Sequence, residues 1–209
     1  MHLDHVVIAA ADLSAAAREL EARHGLLSVE GGRHPGWGTA NRIVPLGDAY
    51  LELVAVADPA AAAASAFGAW VAAGVASGGG PLGWAVRTDR IDDVARRLGL
   101  SVADGSRATR AGDVLRWRLA GVEQAATEPC LPFFIEWGAG TPLPGRAAAA
   151  HPAGAVRVAR LELAGAPERL AWWLGAHELP VVVRRGPPAV ERIVLAAGAR
   201  EIVLGGAQT

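Results

Sequence analysis

Apolar and polar positions alternate along this chain with two periods, and the order in which the two periods appear is repeated. Residues 3–10 alternate every second position, as a half-buried strand does, and residues 14–24 carry Ala16, Ala17 and Leu20 at helical spacing. Asp12 or Ser14 can cap that helix and Gly25 can end it. Strand patterns follow at 26–30, 41–46 and 50–56, the last two joined by a Gly47-Asp48 turn, so the first part reads as βαβββ. After an alanine-rich segment and Gly78-Gly79-Gly80-Pro81 the order restarts. It runs as strand 82–88, helix 92–98 and strands 100–103, 114–120 and 133–137.

A third, shorter round follows a Pro/Gly/Ala stretch, with a strand at 156–164, a helix at 167–174 and strands at 181–184, 190–195 and 201–204. The division predicted is a first module over 1–58, a connector over 59–81, a second module over 82–138 and a module-like C-terminal segment over 155–209. The expected fold class is α+β. Two tandem βαβββ modules form a cupped mixed sheet, and the third is expected to cover an open sheet edge.

The alanine-rich run from Pro59 to Val75 is interrupted by Ser65, Gly68 and Gly74, and alanine contributes little hydrophobicity. It reads as a small-residue helix packed on the protein and not as a membrane span. Lysine plus arginine number 20 against 21 acids, with no basic block, which argues against nucleic acid as a partner. Cys130 is the single cysteine, so neither an intrachain disulfide nor a cysteine-based zinc cage can form. The chain enters a strand directly from Met1 without a signal-peptide pattern, and a reducing cytoplasm is the expected compartment.

Candidate chemistry concentrates in two places. The stretch from Gly31 to Asn41 places His34, Trp37, Thr39 and Asn41 among glycines; Gly36 and Gly38 allow it to fold over a ligand, or it is an ordinary surface turn. On the strands, Glu52 lies mid-strand on the face opposite Leu51 and Leu53, and His5 shares a face with Val7 and Ala9. The two are either metal ligands or an acid–base pair, or each is a satisfied core or edge residue by itself. Aligning Leu20 with Leu98 sets His5 against Gly83, with Glu136 as the expected counterpart of Glu52. Arg87 shares the parity of Gly83 and is expected to point into the cup, where a guanidinium could hold a carboxylate.

Leu3-Asp4-His5-Val6-Val7, the Gly31–Asn41 stretch, Leu46-Gly47-Asp48-Ala49-Tyr50-Leu51-Glu52-Leu53 and Gly83-Trp84-Ala85-Val86-Arg87-Thr88 together resemble the glyoxalase-like domain family of the vicinal oxygen chelate superfamily. The resemblance implies a cup that holds a divalent metal through residues of the first and last strands of each module. Position by position these are His5 and Glu52, with Glu136 from the second module and Gly83, which cannot ligate, at the fourth place. It implies a small-molecule lyase, isomerase or dioxygenase that polarises a carbonyl or enolate oxygen, with Glu52 and Glu136 catalytic and His34, Asn41, Trp37 and Arg87 binding substrate. The alternative is a metal-free protein that sequesters a small hydrophobic or aromatic compound. A homodimer is expected because cup folds expose strand edges.

Overall fold

The computed structural model describes residues 1–108 and 114–205. It is an α+β fold whose chain order runs β1 (His2–Ala9), α1 (Leu13–His24), β2 (Val29–His34), β3 (Thr39–Pro45), β4 (Tyr50–Val56), α2 (Pro59–Ala63), α3 (Ala66–Ala76), β5 (Gly80–Arg87), α4 (Ile91–Leu98), β6 (Val102–Ala108), β7 (Val114–Ala120), α5 (Val122–Thr127), β8 (Phe133–Trp137), β9 (Val156–Gly165), α6 (Pro167–Leu174), β10 (Val181–Arg185), β11 (Ala189–Ala197) and β12 (Arg200–Gly205). Among the described residues no helix is long and apolar enough to cross a membrane. Asp12 caps α1 by accepting from the Ala15 N–H, and Gly25 closes it in the left-handed conformation, as their residue types dictate.

Eight strands form one sheet in the order β2-β3-β4-β1-β5-β8-β7-β6. Within each module the first and last strands pair in parallel, and the modules join through the antiparallel pair β1·β5 at the centre. The sheet curls until its two ends meet, where the Arg107 guanidinium on β6 donates to the Gly31 carbonyl on β2. The third unit keeps the βαβββ order along the chain but is wired differently: its sheet runs β10-β9-β11-β12, with the first strand between the second and third.

That second sheet does not cap an edge. It lies on the outer face of the large sheet, where Val6, Leu51, Trp84, Val86 and Phe134 share one core with Leu161, Leu163, Trp173, Ile193 and Leu195. The physical reason is burial: alternation along β1, β4, β5 and β8 leaves a second apolar face outside the cup, and apolar area gains roughly 25 cal/mol per Å² when removed from water. Trp173 is fixed there by stacking on Phe134 at 6.0 Å and by donating to the Pro132 carbonyl at 2.8 Å. The strap before β9 is tied to the first module, where the Leu27 N–H donates to His151 Nδ1 (3.0 Å) and His151 Nε2 donates to the Pro45 carbonyl (2.7 Å).

The connector is helical and packed on the protein, as two helices in place of the one expected. Asp58 and Ser65 cap α2 and α3 with their side-chain oxygens, and α3 turns Phe67, Trp70 and Val71 onto the concave face against Val7, Val54, Ala85 and Phe133. The Gly31–Asn41 stretch is mostly strand: β2 and β3 pair from Val29·Ile43 to His34·Thr39 around a three-residue 3-10 turn at 35–37. Polar residues hid this pairing because they face the interior of the cup, so alternation there does not read as apolar against polar.

The two turn glycines are not equivalent. Gly38 has φ of 64°, and a Cβ there would lie 2.2 Å from the Ala62 nitrogen; Gly36 is outside the left-handed region and has nothing within 4 Å of such a Cβ. Gly38→Ala should therefore cost about 3 kcal/mol in urea-induced unfolding, whereas Gly36→Ala should change stability by less than about 1 kcal/mol. Equal costs would show that the contact of this turn with α2 is not a constraint on the fold.

Candidate functional site

The concave face holds a small chamber of about 30 Å³, room for a water molecule or two. His5, Glu52, Asn41, His34, Tyr50 and Arg107 line its polar side, and Trp37, Phe67, Trp117, Leu119, Phe133 and Trp137 are among those lining the apolar side. Strand parity brings His5 on β1, Glu52 on β4 and Asn41 on β3 to this face, and all three are buried.

His5 is held from behind. A bulge between Leu3 and His5 in the β1·β5 pairing turns Asp4 to the same side as its neighbour, and its buried carboxylate accepts from His5 Nδ1 at 2.7 Å. Trp137 Nε1 at 3.0 Å and Arg87 Nη1 at 3.4 Å fix the other Asp4 oxygen. With Nδ1 held by the Asp4 carboxylate, Nε2 faces the Glu52 Oε2, 3.7 Å away. The ring stacks on Tyr50 at 4.6 Å and meets the Phe133 ring edge-on at 5.4 Å. Glu52 is oriented through its other oxygen, which accepts from Asn41 Nδ2 at 2.5 Å.

The electrostatics follow from burial. His34, which shares a hydrogen bond with Thr39 Oγ1 at 3.0 Å, is pushed below the ordinary imidazole value chiefly by desolvation, against the pull of Glu52 and with Arg107 and His5 adding to the depression. Burial drives Tyr50 well above the usual phenol value, with the carboxylates of Asp4 and Glu52 reinforcing it, so its hydroxyl stays protonated. Arg107 is lowered by burial and supported by Glu52, and a guanidinium remains charged under such a shift.

The expected ligand set does not assemble. In the central pair His5 lies beside Ala85 and Val7 beside Gly83, so the two-fold relation between the modules exchanges His5 with Gly83 and Val7 with Ala85. Val7 has Glu52 as its parallel neighbour and Ala85 has Phe133, which makes Phe133, not Glu136, the counterpart of Glu52. Glu136 lies three residues further along β8 and so on the opposite face. There it accepts from the Ile91 N–H at the start of α4 (3.1 Å) and from Arg118 (3.3 Å). At the fourth place a Cβ on Gly83 would lie 2.3 Å from the Trp70 ring.

The cup thus offers His5 and Glu52 as its two matching donors, and among the described residues no group of three His, Cys, Asp or Glu could hold a metal ion. Two protein donors do not fit the divalent-metal set that the fold implies. Arg87 also departs from expectation: its guanidinium is taken by Asp4 and the Asp48 carbonyl and does not line the chamber. His34, Trp37 and Asn41 do line it. Asp4, Tyr50 and Arg107 escaped the sequence reading, Asp4 because alternation sends it to the outer face and only a bulge returns it. The signal available for Asp4 was an acid beside a histidine within an apolar strand.

Comparison with known proteins agrees with this architecture. Residues 3–178 match the glyoxalase-like domain. No curated protein matches. A hypothetical protein from Staphylococcus aureus is 14% identical with a TM-score of 0.64, over 97% of this chain and 84% of its own, and shares the fold. Methylmalonyl-CoA epimerase from Mycobacterium tuberculosis is 22% identical with a TM-score of 0.45, over 65% of this chain and 85% of its own. The methylmalonyl-CoA epimerase of Streptomyces coelicolor is 21% identical with a TM-score of 0.48, over 66% and 97%. With more than half its length matched and two βαβββ modules curled into one cup, the chain belongs to the glyoxalase-like domain family of the vicinal oxygen chelate superfamily.

Proposed function

We propose that this chain is an isomerase-type enzyme that moves a proton next to the carbonyl group of a small molecule. The observation that carries the reading is the His5–Glu52 pair, 3.7 Å apart, each group anchored from behind and both facing the chamber opposite its apolar side. The pair holds one proton between them: the unprotonated member takes the proton from the carbon next to the carbonyl, the C–H electron pair moves to the carbonyl oxygen as an enolate, and the protonated member gives its own proton back to carbon, after which a proton passes across the pair to restore the starting state. Asp4 is a positioning residue that keeps Nε2 of His5 turned inward. His34 and Asn41, expected to orient substrate, supply a neutral ring and an amide at the chamber wall. Side chains carry these steps, so the divalent metal implied by the resemblance has no part in the proposal.

A second reading has its own support. Trp37, Phe67, Trp117, Phe133 and Trp137 make the chamber wall aromatic, which suits a protein that sequesters a small hydrophobic or aromatic compound without changing it. Deuterium incorporation from D2O into a panel of small ketones and 2-oxo acids separates the two. The enzyme reading expects exchange that His5→Gln or Glu52→Gln reduces by about 10²–10⁴-fold, with fluorescence-detected binding retained. Binding without exchange in the parent protein would favour sequestration. Treatment with EDTA should leave exchange unchanged; loss restored by a divalent cation would overturn the side-chain chemistry.

His34 gives a pH signature independent of substrate. Its folded pKa lies below the ordinary value of about 6.5, so below that pH the unfolded chain takes up a proton that the folded protein refuses. The stability it contributes is complete above about pH 6.5 and is lost as pH falls through the lowered folded value. Urea unfolding followed from pH 7.5 to 5.0 should therefore show a shallower decline for His34→Gln than for the parent, and parallel curves would contradict the neutral buried ring.

A further inference from the structure

We infer that the chamber is the inner half of a two-part site, and that the cleft beside it holds the apolar tail of a substrate whose carboxylate or carbonyl head reaches Arg107. The inference rests on the proton-transfer reading for the head group alone. A cleft of about 810 Å³ lies against the closure of the curled sheet at Gly31 and Arg107, between β2, β3, the start of β7 and the strap at 139–147. Its volume is that of a pocket for a medium-sized organic ligand, whereas the inner chamber admits only a few atoms. Two residues, Ile43 and Arg107, line both spaces, so the two adjoin.

The chemistry of the cleft selects the tail. Val29, Ile43, Leu115, Pro142, Leu143 and Ala147 supply apolar surface. The Arg146 guanidinium at its margin is paired with Asp48 at 2.7 Å. At the junction Arg107 is buried, with one nitrogen donating to the Gly31 carbonyl. A guanidinium has five donors, so the same group can hold the sheet ends together and present N–H groups to an oxygen of the ligand. Gly31 serves both ends of this arrangement: a Cβ there would lie 2.0 Å from the Asn41 Oδ1, and Asn41 in turn positions Glu52. The substrate class is therefore a 2-oxo acid, or a related carbonyl acid, extended by an alkyl chain or an aromatic ring.

The test is a series of 2-oxo acids from pyruvate to 2-oxooctanoate, with 2-octanone as the uncharged match, scored by tryptophan fluorescence for affinity and by deuterium exchange for turnover. Affinity should tighten by about tenfold or more along the acids, since each buried methylene is worth up to about fourfold. Ala147→Trp, at an exposed position of the cleft wall, and Thr141→Trp as a second filling variant should flatten that length dependence. Arg107→Gln should erase most of the preference for 2-oxooctanoate over 2-octanone.

A length dependence identical in both filling variants and the parent, or no length dependence at all, overturns the two-part site. If pyruvate exchanges its protons and chain length has no effect, the proton chemistry stands and the cleft assignment falls. If affinity follows length and filling but none of the acids exchanges, the two-part site stands and the proton chemistry falls. No saturable binding by any member overturns the substrate class.

Discussion

The antiparallel pairing of β1 with β5 governs the rest of the molecule. Among the described residues it is the one strand pairing between the two modules in the large sheet, and it carries matched register shifts on either side of its centre: Leu3·Val86 and Ile8·Pro81 are exchanged by the same relation that exchanges His5 with Gly83. These irregularities raise the local twist, and the curl that brings β6 round to β2 accumulates across them. One of the two bulges also places Asp4 behind His5. The curvature of the cup and the orientation of its histidine therefore share a backbone origin.

The two halves of the cup have diverged along this axis. The first module keeps an imidazole and a carboxylate facing inward, whereas the second presents Gly83 and Phe133 in the equivalent places, with the Trp70 indole from α3 laid over the glycine. The missing side chain at Gly83 is thus a packing requirement. An aromatic ring from the connector fills the space that a ligand side chain would need, which ties the length and composition of the inter-module segment to the chemistry of the sheet.

Much of this was legible in the sequence. The three strand–helix restarts, the α1 caps, the inward parity of His5 and Glu52 and the relation of His5 to Gly83 follow from local periodicity, which needs no knowledge of partners. What local pattern cannot supply is register. Residue type pairs Glu136 with Glu52, yet the ladder matches Phe133, and an odd offset of three residues reverses the face. Arg87 has the right parity but sits where Asp4 captures it, a contact made possible by a bulge. Arg107 was out of reach because its role depends on two strands at opposite ends of the sheet order meeting in space.

The closure between β2 and β6 bears on self-association. Outer strands normally present unpaired backbone groups that recruit further strands, and proteins suppress this with charges, bulges or covering elements. Here the two outer strands of the large sheet face one another, and a charged side chain spans the gap at Gly31, so the eight-stranded sheet shields its own ends. The outer strands left to accept another chain are β10 and β12 of the smaller sheet, where Val182 and Val203 are exposed. Strand-by-strand growth between copies, ordered or aggregated, would therefore begin on the face of the molecule that carries no part of the chamber.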